Sequence, residues 1–212
     1  MKNSFPPISV FFLVSNKFKA NYNPFKSSVN IEIAKDLEVA TFAGGCFWCT
    51  EAIFLELDGV KTVVSGYIGG SIANPTYDEV SSGTTGHAEA VQIIYNPKKI
   101  TFKVLLKVFF ATHNPTTLNR QGADLGIQYR SEVFYQNKNQ RKITENYIAQ
   151  MTAFLIFDCP IVTKVSPASI FYPAENYHQN VYNQNKNQPY CHFIITPKIE
   201  KLKLNFQNKL KK

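Results

Sequence analysis

The sequence predicts a fold of the α/β (α+β) class: a two-layer sandwich with helices packed on a mixed, ferredoxin-like sheet and long functional loops. Three observations lead there. Strand-like and helix-like segments follow one another in mixed order between residues 37 and 165. Hydrophobic residues make up 44% and charged residues 18% of 212, a balance that suits one domain with a sizeable core. Two stretches, 66–87 and 113–128, fit no regular period and are long enough to be read as functional loops.

The elements follow in order. Residues 37–43 read as a strand and Gly44-Gly45 as a turn. A helix is expected over 46–57, with Phe47, Phe54 and Leu57 on one side, Glu51 and Glu56 elsewhere, and Gly59 placed to end it. The β-branched, alternating segments 62–67 and 88–95 read as strands. Thr101 is placed to cap a helix reaching Thr112 that carries Phe102, Leu105, Leu106 and Phe109. A strand over 129–135, a helix over 138–153 and a strand over 161–165 come next. From Pro197 a last helix offers Leu202, Phe206 and Leu210 as a docking stripe.

Residues 1–36 differ from the rest and are read as an N-terminal extension, either disordered or a targeting segment, ahead of one domain over 37–212. They hold Pro6-Pro7, a short apolar run over 8–14 and then a polar stretch without a convincing cleavage site. No window approaches the roughly 18 consecutive apolar residues of a membrane span. The chain is expected to be soluble, cytoplasmic and monomeric, with organelle or secretory destinations left open by the extension. The net charge of +8 sits at the ends: four lysines and no acid in residues 1–30, six lysines against one glutamate in 197–212. The middle is near neutral and lacks a cationic cluster interleaved with aromatics, so a solvated basic tail is expected rather than a nucleic-acid surface.

Four cysteines, Cys46, Cys49, Cys159 and Cys191, are too few for a disulfide-built scaffold. Cys46 follows two glycines where a strand should turn into a helix. There, unpaired N–H groups and the helix dipole stabilise a thiolate, and the glycines leave room for a substrate at the backbone. Cys49 lies one helical turn further on, so the two sulfurs can close an oxidation cycle. A zinc site would need two more ligands, and Cys191 and His192 are adjacent and awkward to use together. Phe47 and Trp48 point about 100° apart on a helix, so both cannot join one core stripe. Trp48, with Phe47 as the alternative, is the candidate apolar wall for a small methyl-bearing substrate. Cys159 is read as structural, and Glu89, by strand pattern alone, as solvent-facing.

Seven segments in order resemble the A-type peptide methionine sulfoxide reductases. They are Gly45-Cys46-Phe47-Trp48, Gly66-Tyr67-Ile68-Gly69-Gly70, Asn74-Pro75-Thr76-Tyr77-Asp78-Glu79-Val80 and Thr85-Gly86-His87-Ala88-Glu89-Ala90-Val91. Asn119-Arg120-Gln121-Gly122-Ala123-Asp124 with Gln128-Tyr129-Arg130-Ser131 follows, then Phe171-Tyr172-Pro173-Ala174-Glu175-Asn176-Tyr177-His178-Gln179 and Gln188-Pro189-Tyr190-Cys191. The resemblance spans about residues 38–206 and both unassigned loops.

It implies reduction of the S epimer of methionine sulfoxide, free or in proteins, and hence repair of oxidative damage. Cys46 would attack sulfur, Glu89 would act as the acid, and Tyr77 and Tyr129 would hydrogen-bond the oxygen while Asp124 orders the site through water. Cys46 would become a sulfenic acid that a second thiol converts to a disulfide, with thioredoxin as external reductant and no other cofactor. Cys191 matches the family's C-terminal recycling position, and Cys49 matches members with a second cysteine after the tryptophan. The resolving thiol stays open between them. Two other readings carry fewer of these residues: a general thiol–disulfide oxidoreductase using Cys46/Cys49, and a sulfoxide-binding module with a dead site.

Overall fold

The computed structural model describes residues 36–212, so the expected N-terminal extension lies almost wholly outside the described residues. The strands are β1 (Glu38–Gly44), β2 (Val60–Ile68), β3 (Ala88–Tyr95), β4 (Arg120–Gln121), β5 (Asp124–Leu125), β6 (Ser131–Tyr135), β7 (Lys164–Pro167) and β8 (Tyr172–Pro173). The α-helices are α1 (Phe47–Leu55), α2 (Tyr77–Ser81), α3 (Phe102–Thr112), α4 (Lys138–Ala153), α5 (Val181–Gln184) and α6 (Thr196–Phe206). The main sheet has the order β7-β6-β1-β3-β2-β8. Its inner four strands pair antiparallel, with α1 joining β1 to β2 and α3 leading from β3 towards β6. That is the β-α-β-β-α-β order of a ferredoxin-like sheet. β7 adds in parallel at one edge and β8 antiparallel at the other, which makes the sheet mixed as the sequence predicts.

Side-chain alternation decides which face the helices cover. Phe42 of β1 pairs with Val91 of β3 and Val133 of β6, and Val63 of β2 pairs with Ile93. All five are buried in one core with Phe54 of α1 and with Phe102, Leu105, Leu106 and Phe109 of α3. Phe42 stacks on Phe54 at 5.5 Å and on Phe109 at 4.9 Å. Each fully buried aromatic here contributes about 2–3 kcal/mol of transfer free energy. The opposite face carries a smaller cluster of Ala43, Ile68, Ala88, Ala90 and Phe134 under Ala168 and Phe171. Both faces are therefore covered around the middle of β3.

Several boundaries differ from the sequence prediction. The expected strand over 129–135 begins at Ser131, because Ile127–Tyr129 forms a 3₁₀ turn, and the strand expected over 161–165 forms over Lys164–Pro167. The two loop stretches contain short elements: α2, held by a reciprocal capping box between Thr76 and Glu79, and the β4–β5 hairpin. Thr101 caps α3 by accepting from the Val104 N–H, as expected. The C-terminal helix starts at Thr196 after a π-helical turn over Cys191–Ile195.

Glu51 lies off the Phe47, Phe54 and Leu57 side of α1 and is still not solvated. It is buried, 2% exposed, because α1 packs on nearly all sides. Its carboxyl accepts from the Asn180 N–H at 2.8 Å and ties α1 to α5. Among the described residues no helix is long and apolar enough to cross a membrane.

Candidate active site

The β1–α1 turn positions the first thiol. Gly45 has φ +89°, a conformation side chains with a Cβ rarely adopt, and a Cβ on Gly44 would stand 2.7 Å from Phe109 Cε2. The glycines thus let the turn pack against Phe109, His113 and Gln121. Cys46 then occupies the N-cap of α1 with φ −52° and ψ 124°, half-buried. The next N–H, that of Phe47, donates to Glu89 Oε2 at 3.0 Å. Glu89 shares the side of β3 that carries Val91, Ile93 and Tyr95, and is 2% exposed. The solvent-facing placement expected from strand pattern is therefore overturned. The helix layer that covers this side of β3 also covers Glu89.

The other expected site residues converge on this pair. Tyr77 opens α2, with its backbone N–H bound to Glu175 Oε1 at 2.9 Å. Tyr129 ends the 3₁₀ turn, and Asp124 lies in the β4–β5 hairpin. Glu89, Cys46 and Asp124 all act electrostatically on both tyrosines, which burial pushes above the ordinary phenol range. Cys46, Glu89, Tyr77, Tyr129 and Asp124 thus share one site drawn from five separate chain segments.

Burial pushes the Glu89 carboxyl up to about 8, with the Asp124 charge adding to it and the Phe47 hydrogen bond opposing it. Glu89 is therefore protonated at neutral pH and able to donate. Cys46 and Cys49, one helical turn apart, act on one another and compete for one proton. Their mutual hydrogen bond holds Cys49 down to about 6, while that bond, burial and Glu89 push Cys46 up. The pair thus carries one thiolate near neutrality. At rest these directions leave the charge on Cys49 and the proton on Cys46, so attack by Cys46 requires that proton to pass to Cys49, a transfer that the N-terminus of α1 favours by stabilising a Cys46 thiolate. A bell-shaped profile of single-turnover kcat/KM follows, with limbs near pH 6 and 8. It falls on the acid side as the pair takes up its second proton and on the alkaline side as Glu89 ionises. A flat profile up to pH 10 would contradict a protonated Glu89 in catalysis.

Phe47 and Trp48 divide as their angular separation requires. Phe47 is buried between Tyr67 and His178, at ring distances of 5.9 and 5.3 Å. Trp48 is half-buried, and its Nε1–H donates to His178 Nδ1 at 3.2 Å. His178 also lies 4.3 Å from the Tyr77 ring, and burial holds it neutral as the acceptor requires. The Trp48 indole is therefore fixed beside Cys46, with His178 as its clamp.

Cys49 is buried in a small cluster with Cys191, Ala52, Val181, Ile195 and Ile199, against which Cys46, Trp48 and Tyr190 pack. The two candidate resolving thiols thus sit together on the α6 side of α1. Cys159 is exposed, against its reading as a structural residue, on the rim of a cavity of about 670 Å³. That cavity is lined also by His113, Gln121, Lys198 and Lys201, and by none of the five site residues. Sequence reasoning assigned no role to His178, Glu175 or Tyr190, although all three stand in the quoted motifs. Glu175 holds the Tyr67 hydroxyl at 2.9 Å as well as the Tyr77 backbone.

Comparisons with known proteins identify the family. A family model described as peptide methionine sulfoxide reductase matches residues 38–210. The chain is 52% identical over 189 residues to peptide methionine sulfoxide reductase MsrA 1 of Rhodopirellula baltica, covering 89% of this chain and 97% of that protein. The reduced form of Mxr1 from Saccharomyces cerevisiae is 32% identical with a TM-score of 0.67, over 74% of this chain and 90% of that one. Methionine sulfoxide reductase A of Corynebacterium diphtheriae is 34% identical with a TM-score of 0.63, over 71% and 76% of the two chains.

Proposed function

Because the chain belongs to the peptide methionine sulfoxide reductase family and reduces methionine sulfoxide to methionine, we propose that Cys46 is its nucleophile and Glu89 its acid. The observation that carries this reading is the Phe47 N–H. It binds Glu89 at 3.0 Å and belongs to the residue directly after Cys46, so a protonated carboxyl from β3 and the thiol at the N-cap position meet at the first turn of α1. The Cys46 thiolate attacks the sulfoxide sulfur while Glu89 gives its proton to the oxygen. The oxygen passes to Cys46, methionine leaves, and Cys46 becomes a sulfenic acid beside an ionised Glu89. The hydroxyls of Tyr77 and Tyr129 stay protonated and hydrogen-bond that oxygen, with Asp124 ordering water beside them. Trp48 and Phe47 form the wall for the methyl group. A fixed methyl wall and a fixed oxygen site accept one handedness at sulfur, which the family resemblance makes S.

Cys49 resolves the sulfenic acid first and Cys191 second: the shared cluster brings both thiols to Cys46, and the order is supported by Cys49 acting directly on Cys46 while Cys191 acts on Cys49. An external dithiol, thioredoxin by family resemblance, then reduces the last disulfide. Substrates are free methionine sulfoxide and oxidised methionine in proteins. The chemistry needs only side chains and that dithiol.

Incubation with racemic methionine sulfoxide and dithiothreitol, followed by separation of the epimers, tests the assignment. Consumption of S with R left intact is expected. Both epimers left untouched would favour mere thiol–disulfide exchange, and loss of R would overturn the stereochemistry. Peptide mapping of the oxidised protein should find Cys46–Cys49 and Cys49–Cys191 bridges, and a Cys46–Cys159 bridge would sink the cycle.

A further inference from the structure

The Tyr190 hydroxyl lies between two groups that the reaction uses. It is 3.3 Å from Asp124 Oδ2, to which it donates, and 3.8 Å from Cys49 Sγ. A phenol has one proton to give and lone pairs to receive with. With that proton directed at Asp124, the oxygen is left to accept from the Cys49 S–H. The three groups form a continuous path: Cys49 Sγ–H to Tyr190 oxygen, Tyr190 O–H to Asp124 carboxylate. The ring is held in place independently of the hydroxyl, edge-on to Trp48 at 5.9 Å and packed against the Cys49–Cys191 cluster.

We propose that Tyr190 is a catalytic residue of the resolving step, carrying the proton from Cys49 to Asp124 as Cys49 attacks the Cys46 sulfenic acid. This rests on the reading that Cys49 is the first resolving thiol. Once Cys46 holds the substrate's oxygen, the shared proton resides on Cys49, which is a poor nucleophile until it leaves. The proton moves to the Tyr190 oxygen while Tyr190 passes its own to Asp124. Cys49 sulfur forms the S–S bond with Cys46, the S–O bond breaks, and Asp124 returns the proton to the departing hydroxide, which leaves as water. Cys46–SOH and Cys49–SH thus give one disulfide and one water, with no outside oxidant.

The other charged or titratable groups acting on Cys49 are Cys46 on its own helix, Glu89 from β3, Cys191 from the π-helical turn and Lys198 from α6. Lys198 favours the thiolate through its positive charge but has no proton-accepting atom while charged. Burial holds Tyr190 far above the ordinary phenol range, so it relays a proton without resting as a phenolate.

Tyr190→Phe removes the hydroxyl and keeps the ring against Trp48. Two rates are followed in a single turnover with the S epimer: methionine release, and the decay of Cys46 sulfenic acid trapped by dimedone at timed intervals. In Tyr190→Phe, sulfenic acid decay should slow about 100-fold, as loss of a proton relay implies, and methionine release at least about tenfold less than that, since only the decay uses the relay. Cys49→Ser is run beside it and should abolish the fast decay. Fast decay in Tyr190→Phe with slow decay in Cys49→Ser overturns the relay and leaves Cys49 as the resolving thiol. Fast decay in Cys49→Ser overturns the Cys49 reading, and the relay with it. Equal slowing of both steps in Tyr190→Phe overturns the relay too, since it marks general disturbance of the site.

Discussion

Cys46→Ser yields a folded protein whose turnover of methionine sulfoxide falls by at least about 10⁴-fold, the scale seen when a nucleophile is removed. A serine hydroxyl has no thiolate to offer sulfur near neutral pH and cannot hold the transferred oxygen as a sulfenic acid. Structurally the change is benign. Cys46 is half-buried at the N-cap of α1 and makes no side-chain cap hydrogen bond, whereas serine is among the favoured cap residues. The unfolding midpoint is expected to hold or rise slightly. Thermal unfolding and turnover measured on one preparation check this. Joint loss of both would mean that Cys46 is structural.

Glu89→Gln separates activity from stability in opposite directions. Gln keeps an oxygen to accept from the Phe47 N–H but has no acidic proton, so the reductase step should slow about 10²- to 10³-fold. The stability sign follows from a folded-state value raised to about 8 against an ordinary 4.5. Between those values the unfolded chain releases a proton that the folded chain retains, so folding is penalised increasingly as pH rises from 4.5 to 8. Below the ordinary value the penalty is absent. At pH 7 it amounts to about 3 kcal/mol, at 1.36 kcal/mol per unit. Glu51, raised to about 7 by its own burial, adds a similar dependence, but it is common to both proteins and cancels in their difference. Urea unfolding at pH 4.5 and pH 7 should show near-equal stabilities in acid and a more stable variant by about 3 kcal/mol at neutrality. An equal difference at both pH values would contradict a buried, protonated Glu89.

What the sequence revealed follows from how local each signal is. The turn into α1, the Thr101 cap and the 3.6-residue period of α3 are decided by neighbouring residues, and they formed where expected. Glu89 was harder. It belongs to the set Glu89, Val91, Ile93 and Tyr95, but its alternate neighbours Ala88, Ala90 and Ile94 are buried as well. With both faces covered, alternation cannot say which way a carboxyl points. Glu51 shows the same limit: helix α1 is packed almost all round, so a charged residue marks no solvent side. The residues given no role, His178, Glu175 and Tyr190, act on partners between 66 and 141 positions away. Such contacts are set by the fold and leave no local period or spacing. Motif order pointed to the segments, and the structure supplies the roles: a clamp on Trp48, an anchor for Tyr67 and Tyr77, and a hydroxyl between Cys49 and Asp124.

The central claim is that Cys46, with Glu89 as its acid, takes oxygen directly from the substrate. A Cys49→Ser/Cys191→Ser protein removes both resolving thiols and leaves Cys46 and Cys159 as the only sulfhydryls. Given the S epimer without reductant, it should release one equivalent of methionine. Mass mapping should then find a single added oxygen, or its dimedone adduct, on the peptide bearing Cys46. Oxygen found on Cys159, or no methionine released while the fold is intact, would contradict the account.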